Sequence, residues 1–71
     1  MPNITYFTAI THRDRDEIEY CEFTKYDEAR YHFDLFDSSD ADIYSRIELC
    51  AYNWKTRIEI PLASKFLNPS A

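Results

Sequence analysis

The chain contains no glycine. Average usage of roughly 7% would place about five in 71 residues. Loops that cradle phosphates need glycine so that the backbone can approach the anion, so P-loop and dinucleotide-binding motifs are excluded, and ATPases, GTPases and ordinary dehydrogenases with them. Turns that require a positive φ must use another residue, and Asn53 is the best placed. Long apolar runs are missing too: no stretch approaches the 18 or so residues of a membrane span.

Cysteine is sparse. Cys21 and Cys50 are the whole complement, and no C-x₂₋₄-C or H-x₃₋₅-H spacing joins them to His12 or His32 in a zinc site. Met1 to Ile10 lacks the basic and apolar regions of a signal peptide, so the expectation is a cytoplasmic protein with two free thiols. No catalytic signature is present. His12 beside Asp14 and Asp16 has no nucleophile tied to it and reads as a solvated turn histidine. His32, at the margin of an apolar helical stripe, reads as a boundary residue with its polar tip exposed. Asp37 to Asp42 lacks the central Gly and terminal Glu of a calcium loop. The chain is therefore expected to be no enzyme and to need no cofactor and no metal.

What is present is aromatic and acidic. Six Tyr, five Phe and one Trp make 17% of the chain, and each large ring can bury about 150 to 250 Å². These residues can build the core of one small domain spanning 1–71, with a frayed tail from about residue 68. Asn3 to Thr11 alternates as a strand, Ile4, Tyr6, Thr8 and Ile10 against Thr5, Phe7, Ala9 and Thr11. After a polar loop, Glu17 to Phe23 returns as a second strand, apolar on both faces, which a bulge near Tyr20 and Cys21 would reconcile. Thr24 and Asp27 resemble a capping box. From Lys25 to Asp37, Tyr26, Ala29, Phe33 and Phe36 recur at helical spacing on the core side, while Asp27, Tyr31 and Asp34 fall on the outer side, flanked by Glu28 and Leu35. Ser38 and Ser39 are left to cover backbone groups where the helix ends.

Ile43 to Tyr52 and Thr56 to Leu62 alternate again and form a hairpin, expected to pair Ile47 with Ile58, Arg46 with Glu59 and Glu48 with Arg57. Leu62 to Leu67 could add one helical turn. The predicted fold is α+β, in the order β-β-α-β-β: an antiparallel sheet with one amphipathic helix packed on one face. The other face is expected to expose Tyr44, Arg46, Glu48 and Tyr52.

Eleven of the thirteen carboxylates lie between Asp14 and Asp42, against Arg15, Lys25 and Arg30 alone. In a plain reading this is the charged face that keeps a small domain soluble. The functional reading rests on segregation: a field of one sign attracts basic partners and repels nucleic acid and anionic lipid. Carboxylates a few ångströms apart can imitate a phosphate backbone, whose charges recur at about 1.7 Å of duplex axis. The candidate binding residues are Asp14, Asp16, Glu17, Glu19, Glu22, Asp27 and Asp34 for steering, with Tyr31 and Leu35 as the apolar anchor.

In size, acid cluster, exposed aromatics and a single helix beginning TKYDEARYHF over a small sheet, the chain resembles the small acidic inhibitors of phages and other mobile elements, the anti-CRISPR proteins among them. The resemblance implies a non-enzymatic inhibitor that blocks a basic, nucleic-acid-binding surface of a host defence complex such as a CRISPR-Cas effector. It assigns no residue a role. A second expectation, of a different class, is a structural interaction module: a homodimer or accessory subunit assembling through the exposed sheet face or an edge strand.

Overall fold

A computed structural model describes residues 3–69. Strands β1 (Ile4–His12) and β2 (Ile18–Phe23) precede helix α1 (Tyr26–Leu35), a 3₁₀ turn (Ser38–Asp40), and strands β3 (Tyr44–Asn53) and β4 (Ile58–Phe66). All pairings are antiparallel and the spatial order is β2-β1-β3-β4, so β2 and β4 form the two edges. The expected α+β order β-β-α-β-β is present. No helix among the described residues is long and apolar enough to cross a membrane.

Alternation in β1 places Thr8 and Ile10 under the helix, where they meet Leu49 and Ile47 of β3 across the ladder. Ala29 and Phe33 come down on this layer and are buried with Ile10, Ala41, Ile47, Leu49 and Leu67. Phe36, just past the helix, is half-buried and meets Tyr44 edge-on at 5.6 Å. Tyr26 is 40% exposed but packs edge-on against Tyr6 at 5.6 Å.

Several local expectations are corrected. β2 pairs with β1 from Phe23 to Ile18 without a register shift. The bulge expected near Tyr20 is absent there, and β2 carries apolar groups on both faces: Cys21 and Phe23 toward α1, Ile18 and Tyr20 away from it. The bulges lie elsewhere. Between β1 and β3 the extra residue is Ser45, which turns Tyr44 to the helix side, against the ring of His12, and removes it from the open face. Between β3 and β4 the extra residue is Leu62, which brings Ala63 and Lys65 under the helix and sends Phe66 to the other side.

The hairpin register also differs. Asn53 pairs with Ile58, Tyr52 with Glu59 and Ala51 with Ile60, while Ile47 faces Lys65. Ile58 and Ile60 consequently lie beyond the helix, about half exposed. The positive φ falls on Arg57, at 60°. Asn53 serves the turn through its side chain, whose carbonyl accepts from the N–H groups of Lys55 and Thr56. Leu62 to Phe66 continues β4 and forms no helical turn. Asn68 and Pro69 follow without regular structure, and the rest of the expected frayed tail lies outside the described residues.

Helix α1 begins after Lys25 with no side-chain cap, so Thr24 and Asp27 do not form the expected box. A reciprocal box occurs instead at the 3₁₀ turn. There Asp37 accepts from the Ser39 N–H and hydroxyl, and Asp40 accepts from the Asp37 N–H, so carboxylates cover these groups where serines were expected. The Ser39 bonds hold the Asp37 carboxyl below its usual range. Arg13 ties the same end of the molecule to the tail, donating to the carbonyls of Ala41, Tyr44 and Leu67.

Candidate functional site

The acidic segment includes one edge strand and the helix, and the sheet order converts its place in sequence into a place in space. From residue 43 onward the chain carries Arg46, Lys55, Arg57 and Lys65 against Glu48 and Glu59. These belong to β3, β4 and their turn, so the β2 edge is acidic and the opposite half is net basic.

Within the acidic half, the outer side of α1 presents Asp27, Tyr31 and Leu35 at intervals of four residues, one above another on the helix surface. With Glu28, His32 and Phe23 of β2 they line a shallow groove between helix and edge strand. Tyr31 is 68% exposed and Leu35 54%, so both are available to a partner. Asp34 is on the same side but is engaged with the guanidinium of Arg30 at 3.2 Å, one helical turn back; this pairing raises the Arg30 pKa. Asp27 and Glu28 also favour the helix N-terminus through its macrodipole, a local role that needs no partner.

The other acids divide. Asp14, Asp16 and Glu17 stand in the exposed β1–β2 connection, Glu17 paired with Arg15 at 2.8 Å. Glu19 points to the helix side of β2, where its carboxylate accepts from His12 Nε2 at 2.8 Å. Glu22 points to the open face, opposite Phe7. Among the described residues, Asp14, Asp16, Glu22 and Asp27 take part in no ion pair. The nine candidate residues thus do not form one continuous surface. Asp27, Tyr31, Asp34 and Leu35 share the outer helix side, Asp14, Asp16 and Glu17 a loop at one end, Glu19 the β2 edge beside His12, and Glu22 the face behind.

Both histidines differ from expectation. His12 ends β1 and is 8% exposed, no solvated turn residue. His32 turns its Nδ1 inward to share a 2.8 Å hydrogen bond with the buried Thr8 hydroxyl, between the rings of Phe23 and Phe36. Burial lowers its pKa. Both cysteines are free, Cys21 half-buried and Cys50 buried. Burial, with Glu59 and Glu48 close by, pushes the Cys50 thiol up to about 11. Among the described residues no group of three or more His, Cys, Asp or Glu is placed to hold a metal ion.

The open sheet face carries more exposed aromatic surface than alternation in β3 alone suggested. Tyr20, Trp54 and Phe66 are each more than half exposed. The signal for Tyr20 was the phase of β1 and β2 read together, since Phe7 and Tyr20 both point away from the helix-side residues Thr8 and Cys21. No family model, no curated protein and no solved structure matches the chain.

Proposed function

We propose that the protein is a non-enzymatic inhibitor that docks its acidic half on a basic, nucleic-acid-binding surface of a host defence complex such as a CRISPR-Cas effector. The observation that carries this reading is the separation of charge across the sheet, with the acidic segment at the β2 edge and over it, and four of the eight basic residues in the β3–β4 half. Such a field orients the molecule as it approaches a cationic groove. Asp27 and the loop acids take the place of phosphates, while Tyr31 and Leu35 supply the apolar contact that exposed charges do not.

The test is competition. The protein is added to a basic effector complex holding labelled single-stranded nucleic acid, and release is followed at increasing salt. Displacement that weakens as salt rises is expected. Absence of displacement at low salt across a panel of such complexes would sink the reading.

A second reading, a homodimer or accessory subunit joined through the open sheet face, draws support from the exposed Tyr20, Trp54 and Phe66. Sedimentation of the protein alone distinguishes the two. A stable dimer favours this second reading, and a monomer the first.

A further inference from the structure

On the face that α1 leaves open, Phe7 of β1, Tyr20 of β2, Tyr52 of β3 and Trp54 of the hairpin turn surround a shallow depression of about 470 Å³, completed by Thr5, Glu22 and Glu59. The rings fall into two pairs. Phe7 and Tyr20 stand 6.0 Å apart, inclined at 58°, and Tyr52 and Trp54 stand 4.7 Å apart, nearly perpendicular at 77°. The indole N–H donates to the Thr5 hydroxyl at 2.9 Å, which sets the orientation of the Trp54 ring.

Register assigns each pair a carboxylate: Glu22 lies opposite Phe7 across β1 and β2, and Glu59 opposite Tyr52 across β3 and β4. Among the described residues no Lys or Arg lines the depression. Arg46, on the same face, is held by Glu48 at 3.4 Å and by the Phe66 ring at 5.4 Å.

Ring faces carry negative charge density and attract cations, most strongly when the cation is partly desolvated. Two carboxylates at the rim add to that attraction. A purely apolar occupant would cover Glu22 and Glu59 without a partner, at a desolvation cost, and an anion would be repelled. The chemistry that satisfies both walls and rim is a cationic head on an apolar stem.

We propose that this depression is a binding site for a Lys or Arg side chain presented by a partner protein. The site lies on the opposite face of the sheet from Tyr31 and Leu35 and does not depend on docking of the helix side. The plainer role for these rings, cross-strand packing that stabilises the sheet, makes no demand on ligand charge.

The chain's single tryptophan, Trp54, reports the site directly. The intact protein is titrated with a blocked peptide of alternating arginine and glycine, and with the same peptide carrying citrulline, its uncharged isostere. Trp54 fluorescence and backbone amide shifts are followed. A saturable Trp54 response is expected, with the citrulline peptide about tenfold weaker. Tyr20→Ala should weaken arginine-peptide binding about three- to fivefold and Glu59→Gln about threefold. Both side chains are exposed, so both variants keep their fold. Because Trp54 lines the open-face depression and not the groove beside α1, its response separates this site from any peptide bound on the helix side. Equal binding of the arginine and citrulline peptides, or unaltered affinity in both Tyr20→Ala and Glu59→Gln, or amide shifts confined to α1 with a silent Trp54, would each overturn the assignment.

Discussion

The ammonium group of Lys65 stands 4.5 Å from the centre of the Phe33 ring and donates to the carbonyl of Phe36. One side chain of the last strand thus holds both the buried face of the helix and its C-terminal end. Phe33→Ala is expected to cost about 3 to 5 kcal/mol, enough to unfold much of so small a domain, and Lys65→Ala about 1 to 2 kcal/mol. Urea denaturation measures both. An unchanged midpoint in Phe33→Ala would mean that the helix does not pack as described.

Charge reversal at Asp27 should lower the association rate with a basic partner on the order of tenfold at low salt. Reversal at Asp34 should do less, because Arg30 already offsets that carboxylate. The difference should fade as the Debye length shrinks from about 10 Å at 0.1 M to about 3 Å at 1 M salt. Tyr31→Ala should raise the dissociation rate and leave the salt slope alone. Stopped-flow or surface-based kinetics at three salt concentrations separates these effects.

Acid should destabilise the fold through His32. Burial lowers its pKa from the ordinary 6.5, so the unfolded chain binds the proton more readily than the folded one. The contribution of neutral His32 to stability is therefore complete above about pH 6.5 and is lost as the pH falls through that value toward the lower folded pKa. Urea midpoints at about pH 7.5 and about pH 5 should differ more in the wild type than in His32→Gln. Equal differences would place the acid sensitivity elsewhere.

The two thiols should differ in reactivity. Cys21 lies across from Thr8 on the helix side, and Cys50 across from Phe7 on the other, so β1 separates them. With its thiol pushed up to about 11, Cys50 is both shielded and protonated near neutral pH, and it is the thiolate that reacts. Iodoacetamide at about pH 8 should label Cys21 alone in the folded protein and both residues in denaturant, as mass spectrometry would read. Labelling of Cys50 at the rate of Cys21 in the native state would contradict its burial.

Arg57 holds a φ of 60° that costs a side-chain-bearing residue about 1 kcal/mol or more. Arg57→Gly should therefore raise stability by about 0.5 to 1 kcal/mol once the added freedom of the unfolded chain is subtracted. A lower melting temperature in that variant would show that the Arg57 side chain contributes more than its backbone costs.

Periodicity carried most of the fold. Alternation from Ile4 to Thr11 and the helical spacing of Ala29, Phe33 and Phe36 mark the strands and the buried helix face without reference to any partner. What escaped was whatever depended on an extra residue. Ser45 and Leu62 each reverse the phase of a strand, so Tyr44 changed sides and Lys65, expected in a helical turn, came under the helix, and a turn built without glycine hid the β3–β4 register. The outer helix group Asp27, Tyr31 and Leu35 was legible because it lies on one element. The depression between Tyr20 and Trp54 was not, because it draws on four strands and a turn whose neighbours only the sheet order determines. The burial of His12 and His32 likewise depended on packing that no local pattern records.

The β4 edge exposes Ile58, Ile60, Leu62 and Phe66 on a strand of nine residues, a composition that invites other chains to add their strands to it. Pro61 has no N–H to offer such a neighbour, and the bulge at Leu62 beside it breaks the even spacing that a flat ladder needs. The two together work against edge-to-edge growth of the sheet, so a margin rich in apolar side chains is a poor template for a further strand.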